Sequence, residues 1–269
     1  MRTIAIANQK GGCGKTTTAV SLAAAFAAKG HRTLLMDLDP QGHSTIGLGY
    51  EPDELNATIY DVLVNAHIGI PDVTTGTKVE WLDLAPGNIL LSGAEVDLIR
   101  ISAREFILSE KLGAVADKYD LCVMDCPPAL GLLTLNALIA STGVVVPVQV
   151  QYYAMEGLKQ LFETTNIIQE RYGSRFVRIL GILLTLVEDN TLLGRQIQQQ
   201  MREFFGPLVF DTVIHKSVKL AEAPSAGEPV FIYAPRSKAA LEYETLAEEI
   251  LYGRTWAEQT IDHEMLVRR

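Results

Sequence analysis

The feature that most constrains this chain is its opening run. The apolar stretch 3–8 passes directly into Gln9-Lys10-Gly11-Gly12-Cys13-Gly14-Lys15-Thr16-Thr17, and an alanine-rich segment follows over 15–29. A buried strand can turn at once into a helix only through residues free to adopt unusual backbone angles, and Gly11, Gly12 and Gly14 supply that freedom. In this order the loop aims backbone N–H groups inward, with the positive end of a helix behind them, which is a cradle for phosphate. Lys15 is placed to reach β- and γ-phosphates, and the Thr16 hydroxyl to ligate Mg2+. The general spacing G-x-x-x-x-G-K-[ST] is not met, because its first position is Gln9. What remains is K-G-G-x-G-K-T with a second lysine, Lys10. The candidate nucleotide-binding residues are therefore Lys10, Gly11, Gly12, Cys13, Gly14, Lys15, Thr16 and Thr17.

Short apolar runs alternate with longer amphipathic ones along the rest of the chain. Strands are expected at 3–8, 32–38, 80–85, 121–125, 143–149 and 178–186. Helices are expected at 15–29, 103–117, 132–140, 155–172, 193–204 and 238–251. Such alternation predicts an α/β fold, a single-domain P-loop NTPase whose mostly parallel sheet carries helices on both faces. No repeat or Pro/Gly/Ser-rich linker divides it, so the domain is expected to span 1–252, with a helical or frayed tail at 253–269. The stretch 50–76 is the least regular and reads as a surface excursion. Two strands end in carboxylates, at Asp37 and Asp39 and at Asp125. Ligands of open α/β sheets lie beyond the C-terminal ends of strands, so Asn8, Asp39 and Asp125 should converge on one site.

Composition narrows the partners. The net charge of −9 means that a nucleic acid or anionic membrane must meet a local basic patch. Three cysteines, Cys13, Cys122 and Cys126, are too few for a disulfide framework; Cys122 and Cys126 read as buried core thiols, and a reducing cytoplasm fits. Cys13, at a helix N-terminus, is expected to have a lowered thiol pKa. No apolar run is long enough to span a membrane, and no signal peptide is expected.

The run Lys10-Gly11-Gly12-Cys13-Gly14-Lys15-Thr16-Thr17 resembles the deviant phosphate loop of the ParA/MinD superfamily. Asp39-Pro40-Gln41-Gly42, Asp125-Cys126-Pro127-Pro128, the 132–138 segment and Glu222-Ala223-Pro224-Ser225 narrow the resemblance to ParA/Soj-type partitioning ATPases, over nearly the whole chain. The resemblance implies ATP and Mg2+ as cofactors and a homodimer in the ATP state. It implies that Lys15 binds phosphate in its own subunit while Lys10 reaches the partner's nucleotide, as an arginine finger does. Asp39 would orient or activate water, and Thr16, Asp39 and Asp125 would serve the metal, with Asp37 in support. The 126–134 stretch would sense the γ-phosphate. Non-specific DNA, a ParB-like centromere-binding protein and a nucleoid-associated place in the cytoplasm are the implied partners and location. Candidate DNA contacts are Lys216, Lys219, Arg195 and Arg236, with no helix-turn-helix extension to read sequence. The chain departs from the family pattern at Cys13, at His215 where proline is usual, at Lys216 and Lys219 where arginine is common, and at Leu192 where asparagine is usual.

Three other readings compete. A membrane-cycling or cargo-positioning relative of the MinD type needs a basic amphipathic tail, but the tail carries Glu258, Asp262 and Glu264. An iron–sulfur relative needs thiolates on exposed loops. A metabolic P-loop ligase leaves the Asp-Pro-Gln-Gly and Glu-Ala-Pro-Ser runs without a role.

Overall fold

The computed structural model describes residues 1–151, 154–172, 178–189 and 191–253. In chain order, β1 (Arg2–Ile6) leads through the glycine loop to α1 (Lys15–Ala28), then β2 (Thr33–Asp37) and α2 (His43–Gly47). The short helices α3 (Ile59–Val64) and α4 (Ile70–Val73) precede a two-residue strand β3 (Thr75–Gly76) and β4 (Leu82–Ala85). Then come α5 (Ala94–Leu98), α6 (Ile107–Gly113), β5 (Leu121–Asp125), α7 (Leu132–Ala140), β6 (Gly143–Gln149) and α8 (Ala154–Tyr172). The chain continues with β7 (Ile179–Val187), α9 (Leu192–Phe205), β8 (Val209–His215), α10 (Val218–Glu222), α11 (Val230–Tyr233) and α12 (Lys238–Tyr252).

The strands form one sheet in the order β3-β4-β2-β5-β1-β6-β7-β8, parallel throughout except for β3. The alternation of side chains along each strand builds two cores, one per face. Ala5, Leu34, Met36, Met124 and Val146 face one cluster with α3, α5, α6, α7, α8 and α9. Ile4, Ile6, Leu35, Val123 and Val145 face the other with α1 and α12. From β1 the chain turns to β2 on one side, and later crosses from β5 to β6 on the other, so the crevice between these directions opens at the C-terminal end of β1. The exposed edge strand β8 is blunted by α12. Glu249 accepts the backbone N–H of Asp211 and Thr212 at 2.7 and 3.0 Å, and Glu242 that of His215 at 3.0 Å.

Most expected elements are present within a residue or two, and β5, β6 and α7 have the expected bounds. Three differ. β8 was not expected: Val-Phe-Asp-Thr-Val-Ile-His mixes polar and apolar residues, and pairing to β7 is what makes it a strand. The 103–117 helix shortens to α6, because Ala103 takes a left-handed φ of 54° and a single 3-10 turn follows. The 50–76 stretch is not a surface excursion: Ile59, Val62, Leu63 and Ile70 are buried in the core, presented by helices too short for a clear period. The predicted tail lies outside the described residues from 254 onward.

Candidate nucleotide-binding site

The loop between β1 and α1 has the backbone its sequence requires. Gly12 and Gly14 sit at φ 71° and 85°, in the left-handed region, and Gly14 is the residue from which α1 starts. A Cβ placed on Gly11 or Gly12 would meet no protein atom within 4 Å, so the loop walls an open cradle rather than packing against the fold. The loop is braced from outside: Thr185 Oγ1, at the end of β7, donates to the Cys13 carbonyl at 2.8 Å, and Asn8 Nδ2 to the Pro147 carbonyl at 2.7 Å.

Lys15 is 7% exposed, and its ammonium donates to the Lys10 carbonyl at 3.0 Å. An ammonium has three donors, so one backbone carbonyl leaves a buried cation under-satisfied. Lys10 points outward instead and donates to Gln151 Oε1 at 3.0 Å, an exposed hydrogen bond.

The three carboxylates gather beside the loop. Asp37 and Asp125 are register partners across β2 and β5, and Ile6 of β1 is level with Asp125 on the other side. Both carboxylates are fully buried. Asp37 Oδ2 accepts the backbone N–H and hydroxyl of Thr45, each at 2.8 Å. Asp125 Oδ2 accepts the Ser44 hydroxyl at 2.8 Å, while its Oδ1 makes no hydrogen bond of ordinary geometry, the Thr16 hydroxyl lying near the carboxylate without completing one. Burial pushes Asp125 up to about 8, with the Asp37 charge adding to it and the Ser44 and Thr16 hydroxyls opposing. Burial likewise pushes Asp37 up to about 6, against the pull of Thr45. Asp39 lies just past β2, with its Oδ1 accepting the Gln41 N–H at 2.9 Å.

Among the described residues no three His, Cys, Asp or Glu gather closely enough to hold a metal unaided. The donor set still suits a hard cation that takes much of its shell from phosphate and water. It pairs the Thr16 hydroxyl with an unpartnered, buried carboxylate oxygen.

The fold thus brings together the loop residues, Asp37, Asp39 and Asp125. Lys216, Lys219, Arg195 and Arg236 lie around β7, β8 and α10 to α12, and α10 itself borders the loop, where Leu220 shares a cleft with Thr16, Thr17 and His43. Lys216 pairs with Glu188 at 2.8 Å and Lys219 with Glu222 at 2.9 Å, and Arg195 donates to the Asp189 carbonyl at 2.7 Å. Arg236 is exposed. Sequence reasoning missed Ser44, Thr45, Gln151 and Thr185. The first two follow directly on Asp39-Pro40-Gln41-Gly42, so their position was a signal. Gln151 and Thr185 are brought in only by the fold. The expected low thiol pKa of Cys13 is overturned: its sulfur is fully buried against the Lys10 carbonyl, and desolvation raises the pKa despite Lys15 and Lys10.

A parallel sheet whose first strand feeds a glycine loop and a helix, with strand-end carboxylates beside it, defines a P-loop NTPase. A family model described as AAA domain matches residues 1–178. The chain is 47% identical to the sporulation initiation inhibitor protein Soj of Bacillus subtilis, over 92% of this chain and 97% of that protein. It is 41% identical to the chromosome partitioning protein ParA of Myxococcus xanthus, over 93% and 88%. The chain therefore belongs to the ParA/Soj partitioning ATPases within the AAA-domain family. Among solved structures it is similar to a cobyrinic acid a,c-diamide synthase from Mycobacterium smegmatis with bound ADP and magnesium. That likeness has a TM-score of 0.83 at 32% identity, over 97% of this chain and 100% of the other.

Proposed function

We propose that this protein is a slow, dimerising switch ATPase for partitioning DNA, chromosomal or plasmid. It binds Mg·ATP, pairs as a homodimer around it, holds DNA without sequence preference in that state, and is reset when a ParB-like centromere-binding protein stimulates hydrolysis. The observation that carries this reading is the buried Lys15 ammonium, with one carbonyl partner, at the mouth of an open glycine loop beside the unpartnered Asp125 Oδ1.

The roles follow from position. Gly11 to Thr17 cradle the phosphates with backbone N–H groups, and Lys15 balances their charge. Thr16, Asp125 and Asp39 would hold Mg2+, directly or through water, and the ion would supply positive charge against that building on the phosphate oxygens. Asp39 Oδ1 is occupied by the Gln41 N–H; its other oxygen aligns the attacking water and takes up its proton. Lys10 leaves Gln151 and reaches the partner's nucleotide on dimerisation. The short step from Asp39 to Ser44 and Thr45, which hold Asp125 and Asp37, lets the water-aligning loop and the metal carboxylate move together.

Asp39→Ala tests the separation of binding from chemistry. The variant should bind ATP and run as a dimer on size exclusion, with turnover lower by roughly 10²–10⁴-fold. A monomer in ATP would make Asp39 structural or necessary for metal binding instead.

The likeness to a diamide synthase favours a second reading, an ATP-dependent ligase. A ligase that draws ammonia from glutamine with its own thiol needs an accessible thiolate. Cys13, Cys122 and Cys126 are all buried, and burial raises each thiol, Cys122 to about 12. The membrane-cycling reading turns on the tail, whose residues 254–269 lie outside the described ones. Among those described, no helix is long and apolar enough to cross a membrane.

A further inference from the structure

The chain that leaves the site at Asp125 runs through Cys126-Pro127-Pro128-Ala129-Leu130-Gly131 to the first residue of α7. It sets out among the groups placed for a terminal phosphate. The Cys126 N–H donates to the Ile6 carbonyl at 3.2 Å; burial raises its thiol, and the charges of Asp125, Lys15 and Asp39 all reach it. Pro128 and Ala129 are exposed, and Leu130, Gly131 and Leu132 are half-buried, so little packing fixes the path. Two proline rings stiffen it. Where its far end is held therefore decides how its near end lies.

That far end is held from another helix. The first N–H groups of α7 need acceptors, and neither Gly131, from which the helix starts, nor an acid in its first turn supplies one. Glu95 of α5 does: its Oε1 accepts the Leu132 N–H at 2.6 Å. The approach demands glycine. A Cβ on Gly131 would collide with that oxygen, and the three atoms nearest to it would all be those of the Glu95 carboxylate. The Gly131 backbone itself, at φ −87°, suits any residue. Thr134 Oγ1 donates to the Ala129 carbonyl at 2.6 Å, which makes the 129–134 turn one piece. Farther along, Asn136 ties the body of α7 to its neighbours, with Nδ2 on the Arg104 carbonyl at 2.9 Å and Oδ1 on the Leu108 N–H at 3.1 Å. Against the first turn there is instead a cavity of about 470 Å3, walled in part by Glu95, Ile99, Gly131, Leu132 and Ile167.

The helix that carries Glu95 is itself tied to the site. The Gly87 N–H donates to Thr45 Oγ1 at 3.0 Å, and that hydroxyl donates to Asp37 Oδ2. Asn88 then caps the 3-10 turn Ile89–Gly93, which runs into α5. One arm from Asp37 and one from Asp125 thus meet where Glu95 holds Leu132. We infer that Glu95 is a positioning residue for hydrolysis: by holding the start of α7 it sets the 126–131 segment, and with it the Asp125 side of the site, for the reacting phosphate. The inference rests on the ATPase reading above. Nucleotide affinity comes from the glycine loop and Lys15, and Glu95 holds neither. Loss of the contact is therefore felt in kcat and not in binding.

The test is steady-state hydrolysis of ATP with magnesium by the full chain, paired with calorimetric titration of ATP. Glu95→Ala should lower kcat about five-fold, the scale of a lost helix N-cap, with the Kd for ATP unchanged. Glu95→Gln keeps an oxygen that can accept the Leu132 N–H and should recover most of the rate. Gly131→Ala leaves the charge in the chain but drives the carboxylate off, so it should match Glu95→Ala, and the double variant should be no slower than either alone. Asp97→Ala is the control for α5: it removes a 2.9 Å hydrogen bond to Tyr60, leaves Glu95 in place and should turn over as wild type does. A kcat at or above wild type in Glu95→Ala overturns the inference. So does a loss of affinity as large as the loss of rate, or an equal loss of rate in Asp97→Ala. If Glu95→Ala fails to fold, Gly131→Ala decides by the same criteria. Wild type that hydrolyses no ATP overturns the ATPase reading together with the inference, and wild type alone shows it.

Discussion

Around the phosphate loop the charged groups are buried and short of partners. Lys15 has one carbonyl, and Asp125 has an oxygen with none. Around β8 and α10 they are exposed and paired: Lys216 with Glu188, Lys219 with Glu222. Both regions lie on the same sheet and use the same residue types. The difference is in what each has to gain from a ligand. A buried, under-satisfied charge destabilises the empty protein and is relieved by a ligand of opposite charge, so affinity there is steep and specific. An exposed ion pair loses little when phosphate replaces its carboxylate, so any contact there is weak, additive and salt-sensitive.

The contrast can be broken most directly at Lys15. Lys15→Ala should abolish ATP binding, and with it dimerisation and turnover; near-normal affinity by calorimetry would sink the assignment. Next in size is Lys10, the exposed member of the loop. Lys10→Ala should keep nucleotide binding while losing turnover by about 10³–10⁵-fold, the scale of an arginine finger. A fully active variant would remove the role in trans.

The buried carboxylates make a third prediction, for stability in the absence of nucleotide. Their folded-state pKa values are raised, so between the ordinary carboxylate range and about pH 8 the folded chain binds more protons than the unfolded one. Stability should therefore be highest at the acid end of that window and fall as pH rises through it. Asp125→Asn should remove most of the slope and raise the Tm near pH 8. A thermal profile as steep in the variant as in wild type would place the slope elsewhere.

The smallest effect is expected at the exposed end. If Lys216 and Lys219 meet DNA phosphates, binding by the ATP-state protein should weaken with salt at a log–log slope of about −0.9 per phosphate neutralised. Replacing both lysines with alanine should make that slope shallower and weaken binding about equally on every duplex. An unchanged slope with ATPase intact would shift the basic surface toward Arg195, Arg202 and Arg236.

What the sequence determined by itself is local. The glycines at 11, 12 and 14, the apolar strand before them and the helix after them specify the phosphate loop from neighbouring residues alone, and the uninterrupted runs of β5 and β6 announce buried parallel strands. Asp39 and Asp125 could be placed at one site because parallel strands end on one side of their sheet. What the tertiary structure decided depends on residues far apart in the chain. β8 becomes a strand by pairing with β7, and the short helices of 50–76 enter the core by packing that no period of their own reveals. Ser44 and Thr45 acquire their roles by lying under Asp125 and Asp37, and Cys13 takes its raised pKa from burial rather than from the helix end beside it. His215 meets carboxylates from positions 189 and 242 only because the fold brings them together. Backbone angles and periodicity are set by adjacent residues, whereas desolvation and hydrogen-bond partnership are set by whatever the folded chain brings within a few ångströms.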